Sequence, residues 1–417
     1  MTTSHEAAPL GGRLVSRGFR ALMALAAIAA LLLGVRFAMG IGSTTALNDG
    51  YPWGIWIAFD VVTGTAIACG GYAIALLVYI MNRGRYHPLV RSALVTSALG
   101  YTLAGLSVVI DLGRWWNVYA VPIKFWHWNL NSILLEVALC IMLYMLVLWI
   151  ELSPAFLERA RMQDRWPRVR AGAEFALPKI NRAMPWIIAL GLLLPTMHQS
   201  SLGSLMLLAG PRLHALWLTP LLPMLFLISC FAMGFAGVIV ESSLSGWLLR
   251  RPGETRLLRG LAAPAAFSLL LYAVIRLADI VYRGKAGLLF TSGGYSVLFF
   301  VEMLLLVSPA VVLLAKRHVI GAGALFRVAI VVLFGGALYR FATFLIAFQP
   351  GPGWRYFPAL PELLITFGLV AAEIMAYIAI IRFFPILRGA PIAPPVPARV
   401  QRPAPPVVRD LAPHGAD

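Results

Sequence analysis

Ten stretches of about 20 mostly apolar residues run through this chain, and they decide what it can fold into. They cover approximately 21–41, 54–80, 92–111, 129–150, 184–207, 219–248, 262–282, 295–314, 322–347 and 360–384. Each is long enough for a helix to cross the hydrocarbon core of a bilayer. There a helix is the one open-chain structure that satisfies its own backbone hydrogen bonds. The expected fold is therefore all-α: a polytopic integral membrane bundle of ten transmembrane helices. Composition agrees. Of 417 residues, 60% are hydrophobic and 12% charged, whereas a soluble domain carries about 25% charged residues. This excludes a soluble globular domain, a disordered chain and a disulfide scaffold. Cys69, Cys140 and Cys230 all sit in apolar runs, with no CxxC and no Cys/His spacing. They supply neither an iron–sulfur cluster nor a metal site. The first apolar run is long, and no small-x-small cleavage signal precedes Thr44, so it reads as a retained helix.

The formal charge is +17, and its placement gives the orientation. One set of alternate loops and the two ends hold 23 of the 34 lysines and arginines, and the other set holds 6. By the positive-inside rule both termini are cytoplasmic, as an even number of spans requires. The basic excess thus marks a membrane side rather than a nucleic-acid surface, and membrane lipid is the expected environment. Residues 1–20 read as a cytoplasmic N-terminal segment, 21–384 as the membrane domain, and 385–417 as a proline-rich cytoplasmic tail, extended or disordered. The loop at 151–183 interleaves Phe156, Leu157, Trp166 and Val169 with arginines, which predicts a short amphipathic helix on the membrane surface.

Ionisable residues inside a bilayer are functional candidates by default. This chain has Asp60, Asp111, Glu136, His198, Glu241, Arg276, Asp279, Glu302, Arg340 and Glu373 within its spans. Most fall under the external face, beside three loops rich in aromatics and donors: NDGYPWGIW (48–56), DLGRWWNVYAVPIKFWHWNLNS (111–132) and PTMHQSSLGS (195–204). An interfacial aromatic belt explains part of this. Polar groups among aromatic walls also suit a flat, amphipathic ring with two carbonyls, which is a quinone. The expected quinone-contacting residues are Trp53, Trp56, Asp60, Asp111, Arg114, His127, Asn131, His198, Gln199 and Ser200. Asp111 with Arg114, and Arg276 with Asp279, stand at i,i+3 and can neutralise one another. Glu136 lacks such a local partner, and with Glu241 and Glu373 it forms a candidate proton relay. Pro195 is expected to loosen the fifth helix near His198. Two inward-facing histidines cannot be assembled from the seven in the chain, so no haem is expected. Embedded carboxylates and a proline-interrupted span also fit a proton-coupled transporter, the reading from another class.

Several stretches resemble one family. They are PWGIWIAFDVVTGTAIACGGYA (52–73), NRGRYHPLVR (82–91), GLSVVIDLGRWWN (105–117), NLNSILLE (129–136), LLPTMHQSSLGSLM (193–206) and YFPALPELLITFGLVAAEIMAYI (356–378). Together they look like the NrfD/PsrC family of quinone-reacting membrane subunits, and within it the HybB-type subunits of periplasmic nickel–iron hydrogenases. The resemblance runs from about Leu10 to Leu387. It implies a cofactor-free helical bundle in the bacterial inner membrane, docked to a periplasmic ferredoxin-like iron–sulfur subunit and through it to hydrogenase large and small subunits. It implies electron transfer to a quinone, typically menaquinone. The family's quinone region would fall on Trp53, Trp56, Asp60, Asp111, Arg114, His127 to Asn131 and the His198–Gln199–Ser200 run, with Glu136 as a proton-transfer carboxylate. The same architecture also anchors other oxidoreductases, including molybdenum enzymes for polysulfide or sulfur oxyanions.

Overall fold

The computed structural model describes residues 7–162, 165–251 and 253–387. Ten helices are long and apolar enough to cross a membrane. They are α1 Arg17–Met39, α2 Trp56–Ile80, α3 Gly84–Asp111, α4 Ile133–Arg161, α5 Pro167–Leu207, α6 Leu222–Leu248, α7 Thr255–Tyr282, α8 Gly294–Lys316, α9 Ala322–Ile346 and α10 Leu360–Phe383. Every apolar stretch read from the sequence is one of them. Among the described residues there is no strand, and one isolated bridge joins Leu213 to Phe348. The chain is a multi-pass membrane protein.

Which helices touch gives the architecture. α2, α3, α4 and α5 close a ring, each against the next and α5 back onto α2. Helices α6, α7, α8 and α9 close a second ring in the same way. The rings share a wall in which α5 packs on α6, and α2 on both α6 and α9. Helices α1 and α10 pair with each other outside, and α10 lies along α3. The wall is tight because glycines line it. A Cβ on Gly203 of α5 would stand 2.5 Å from the Leu222 carbonyl oxygen, and one on Gly234 of α6 would stand 2.7 Å from that of Cys69. Such close approach of backbones is how membrane helices gain packing where lipid offers no hydrophobic drive.

Three local departures from ideal helix lie in this wall or beside it. Trp56–Thr63, Leu76–Ile80 and Ala342–Ile346 are π-helical. A π-turn leaves backbone carbonyls less evenly paired and often marks functional stretches. Thr63 and Thr65 answer this with hydroxyls that donate to the carbonyls of Ala58 and Val61. Pro195 does not break α5, which stays α-helical from Pro167 to Leu207 despite prolines at 178, 185 and 195.

The expected surface helix at 151–183 is replaced by two longer helices. α4 continues to Arg161 and α5 begins at Pro167, so the arginine-bearing segments extend the antiparallel α4–α5 pair. Arg91 of α3 ties into this end, its two Nη groups on the Glu158 carboxylate at 2.6 and 2.8 Å. The backbone of residues 8–11 lies along the end of α10, with Ala8, Leu10 and Gly11 amides donating to Leu387, Ile381 and Arg382 carbonyls. The proline-rich tail lies outside the described residues, apart from its first three positions.

Candidate functional site

The ends of the bundle differ sharply in chemistry. One carries the arginine-rich connections between α2 and α3, α4 and α5, and α6 and α7. The other carries the aromatic connections before α2, between α3 and α4, and after α9. The polar cluster lies under the aromatic end. Thr65 and His198 are each nine residues from that end of their helices, about 13 Å at the helical rise.

At its centre stands Arg340 of α9, which is fully buried. Its Nε donates to the Val62 carbonyl at 3.0 Å, Nη1 to Ser229 Oγ at 3.0 Å, and Nη2 to Gln199 Oε1 at 3.2 Å. Gln199 Nε2 donates to Thr65 Oγ1 at 3.0 Å, and His198 Nε2 lies 3.3 Å from the same oxygen. The network thus joins α2, α5, α6 and α9 across the shared wall. A planar fork with several donors suits this, because acceptors at each nitrogen offset the cost of burying the cation. The His198 ring packs edge-on against Tyr101 at 5.6 Å. Buried atoms without a protein partner beneath this end include His198 Nδ1 and, four residues into α2, Asp60 Oδ1. The other Asp60 oxygen accepts from Ser107 at 3.2 Å. Asp60 sits buried in the first π-helical stretch.

The aromatic residues before α2 hold this end together. The Trp53 indole donates to the Phe344 carbonyl at 3.0 Å, and the fully buried Trp56 indole donates to that of Glu362 at 3.2 Å. Glu362 itself accepts from the Ala46 and Ala359 amides and the Tyr356 hydroxyl at 3.0, 2.6 and 2.8 Å. Burial beside that carboxylate pushes the Tyr356 phenol well above its usual range. Glu136 of α4 accepts from Ser201 at 2.7 Å.

Other expected residues stand apart from this network. Arg114, His127 and Asn131 are exposed on the connection from α3 to α4. Ser200 bonds to carbonyls of its own helix, Thr196 and Met197. Glu241 accepts from Tyr377 towards the arginine-rich end, and Glu373 lies against Gly100. No hydrogen bond joins Glu136, Glu241 and Glu373 to one another among the described residues. Both expected i,i+3 pairs fail to form. Asp279 pairs with Arg283, one helical turn on, at 2.7 Å. The Arg276 guanidinium makes no hydrogen bond and lies 5.6 Å from each of the Phe299 and Tyr339 rings. Arg114 forms no ion pair with Asp111 among the described residues. Instead Arg36 of α1 brackets that carboxylate by donating to the Ile110 and Leu112 carbonyls at 2.6 and 2.5 Å. Sequence reasoning does not pick out Arg36, Glu362, Thr65 or the contact from Arg340 to Gln199. A lone arginine in an apolar run and an acidic residue after Leu-Pro at a helix start are the signals that could find the first two.

The segment that builds this network is shared with known proteins. A family model described as polysulphide reductase, NrfD, matches residues 43–349. The chain belongs to the NrfD family. Over 92% of its length this NrfD-family chain is 44% identical to a protein of Escherichia coli (strain K12) named probable Ni/Fe-hydrogenase 2 b-type cytochrome subunit, covering 96% of that relative. It is 34% identical over 40% of its length to the menaquinone reductase, integral membrane subunit, of Nitratidesulfovibrio vulgaris, covering 38% of that protein. With a selenate reductase component of Mesobacillus selenatarsenatis it shares 24% identity over 55% of the chain and 56% of the relative. The matched segment contains the whole Arg340 network.

The first relative corrects one expectation. A b-type cytochrome subunit is by name a haem protein, so the absence of haem read from the sequence does not stand. The described side chains nevertheless do not make a haem site of the bis-histidine kind. His198 is buried in the bundle, engaged by Thr65 and Tyr101. His127, His87 and His318 are exposed, and His214 stacks on Tyr295 at the aromatic end. No second histidine faces His198 among the described residues, and no three metal-ligating side chains converge. The residues present do not fit a haem held between two histidines.

Proposed function

We propose that this chain is the quinone-reducing membrane subunit of a respiratory hydrogenase, with its aromatic end on the periplasmic side and both termini in the cytoplasm of a bacterium. The observation that carries the reading is the buried polar network of Arg340, Gln199, Thr65 and His198 beneath that end, with the unpartnered Asp60 oxygen on the same helix as Thr65. The relatives support it: one is named a hydrogenase 2 subunit and another a menaquinone reductase subunit. The lower identity to a selenate reductase component makes another oxidoreductase the second choice.

In this reading hydrogen is oxidised on separate large and small subunits, releasing two protons and two electrons outside. A ferredoxin-like iron–sulfur subunit docked on the aromatic face delivers the electrons. The quinone head enters at that face beside His198; because the Thr65 hydroxyl donates to Val61, His198 Nε2 carries the ring proton, and the open Nδ1 accepts a hydrogen bond from a hydroxyl of the reduced quinol. Arg340 holds the neighbouring Gln199 in place and supplies positive charge as the reduced oxygen gains electron density. Asp60 and Glu136, each held by one serine hydroxyl, pass the two protons that quinol formation needs. If those protons come from the cytoplasm by way of Glu241 and Glu373, each turnover adds to the proton gradient. Purification of the intact membrane complex tests this directly. The expected result is copurifying hydrogenase subunits and hydrogen-dependent reduction of menaquinone or ubiquinone. A complex that lacks hydrogenase subunits would overturn the partner, and one inert towards both quinones would overturn the substrate.

A further inference from the structure

At the opposite end of the bundle from the polar network, two hollows meet. An apolar groove of about 560 Å³ runs between α2, α6 and α7, walled by Leu77, Phe231, Phe235 and Phe267. A second chamber of about 490 Å³ opens beside it, lined by Arg85, Arg256, Arg259, Arg317 and His318. Arg85, Gly260 and Ala263 line both, so the hollows are continuous. Phe267 lies twelve residues into α7, so the groove reaches about 18 Å along the helix at 1.5 Å per residue. One leaflet of hydrocarbon is about 15 Å deep.

The four arginines gather with no carboxylate paired to them among the described residues. None forms an ion pair among the described residues, although Arg91, Arg251 and Arg283 each do. Two are held through Nε: Arg259 donates to the Ile320 carbonyl at 2.6 Å and Arg317 to His318 Nε2 at 2.8 Å. Arg85 is fixed by Tyr86, donating to its hydroxyl at 2.8 Å with the guanidinium over the ring. Tyr86 packs against Gly260, where a Cβ would collide with the phenol. The floor between the two hollows is thus built to be thin, and the arginine forks are left for an external acceptor. Packing four like charges together without an anion is unfavourable, so the complementary ligand is an anion with an apolar body.

We propose that this groove binds an anionic phospholipid, its phosphate among Arg85, Arg256, Arg259 and Arg317 and an acyl chain along Phe231, Phe235 and Phe267. Basic pockets between membrane helices take such headgroups. The site is independent of the quinone reading, since it lies at the other end and shares no residue with the polar network.

Native mass spectrometry of the full chain in detergent tests it, with cardiolipin and phosphatidylcholine offered at equal concentration. Wild type should retain cardiolipin over phosphatidylcholine by roughly tenfold or more. The exposed pair R256Q/R317Q should lose most of that preference while remaining folded by circular dichroism. Ala263→Trp, which fills the junction, should lower retained lipid while leaving all four arginines. Equal retention of the two lipids by wild type would overturn the proposal, as would unchanged preference in R256Q/R317Q. Displacement of cardiolipin by millimolar inorganic phosphate alone would assign the chamber to free phosphate, and copurifying quinone in the groove would assign it to the substrate; either result overturns the lipid.

Discussion

Replacing Arg340 with Met keeps an unbranched apolar stem and removes every hydrogen bond of the guanidinium. Four acceptors lie within reach: the Val62 carbonyl, Ser229 Oγ, Gln199 Oε1 and, at 3.4 Å, the Phe226 carbonyl. They do not suffer equally. Ser229 already donates to Phe226 at 3.0 Å, which occupies both atoms. Gln199 Oε1 has Arg340 alone, because the other end of its amide is spent on Thr65. A buried orphaned acceptor costs about 1–3 kcal/mol, and each further hydrogen bond lost in a membrane interior about 0.6 kcal/mol. Arg340→Met should therefore destabilise by about 3–5 kcal/mol. The orphan is the decisive part, and it can be removed. Gln199→Met alone takes away an acceptor that Arg340 wants, but Gln199→Met in the Arg340→Met background removes the stranded oxygen. The double variant should recover about 1–3 kcal/mol relative to the sum of the singles. Reversible unfolding of the four proteins in mixed micelles, with SDS as denaturant, reads this cycle. Simple additivity would refute the account, since it would mean the two side chains do not depend on each other.

Three further outcomes follow from other parts of the molecule. Glu136→Gln keeps the Ser201 contact and should assemble normally while hydrogen-dependent quinone reduction falls by at least roughly tenfold; wild-type rates would remove Glu136 from proton delivery. Gly203→Ala should cost about 1–3 kcal/mol, because the new Cβ meets Leu222 and Pro223 backbone rather than a mobile side-chain tip; an unchanged unfolding midpoint would contradict the tight α5–α6 approach. His214, in the loop between α5 and α6, has its pKa lowered from 6.5 by burial. Its Nδ1 accepts from the Leu216 amide at 3.3 Å, which requires the neutral ring. As pH falls through about 6.5 the unfolded chain takes up the proton first, so stability is full above that pH and declines below it. His214→Asn should flatten the pH dependence of the melting temperature between about pH 7 and 5, and an identical slope would rule the histidine out.

The spans are legible because twenty apolar residues have no other use, and most of their ends fall within a few residues of the helix ends. The facing ends of α4 and α5 are the exceptions: the apolar stretches stop at 150 and start at 184, whereas the helices run to Arg161 and from Pro167. The arginine-bearing half of α5, from Pro167 to about Met184, is too charged to register as apolar, and it is helical because it pairs with the extended end of α4. The local pairs mislead for a related reason. Spacing of i,i+3 says that Arg276 and Asp279 share a face, yet Arg283 has equal access to Asp279 one turn away, and rings of other helices hold Arg276. Partners from distant sequence decide such sites. Nothing near Gln199 announces Arg340, 141 residues on, and nothing in WIAFDVVT declares the π-turn that carries the buried Asp60. The histidine spacing shows no inward-facing pair, but it carries no hint of a relative named as a cytochrome.

The shared wall has a consequence for motion. Arg340 belongs to the second ring, and it grips α2 and α5 of the first while also holding α6 of its own. Transporters that alternate access rock one half against the other about a central site. Here such a rocking step would have to unfasten a fully buried cation from acceptors on both halves at once. The two rings are bolted at the level where a transporter would need to hinge.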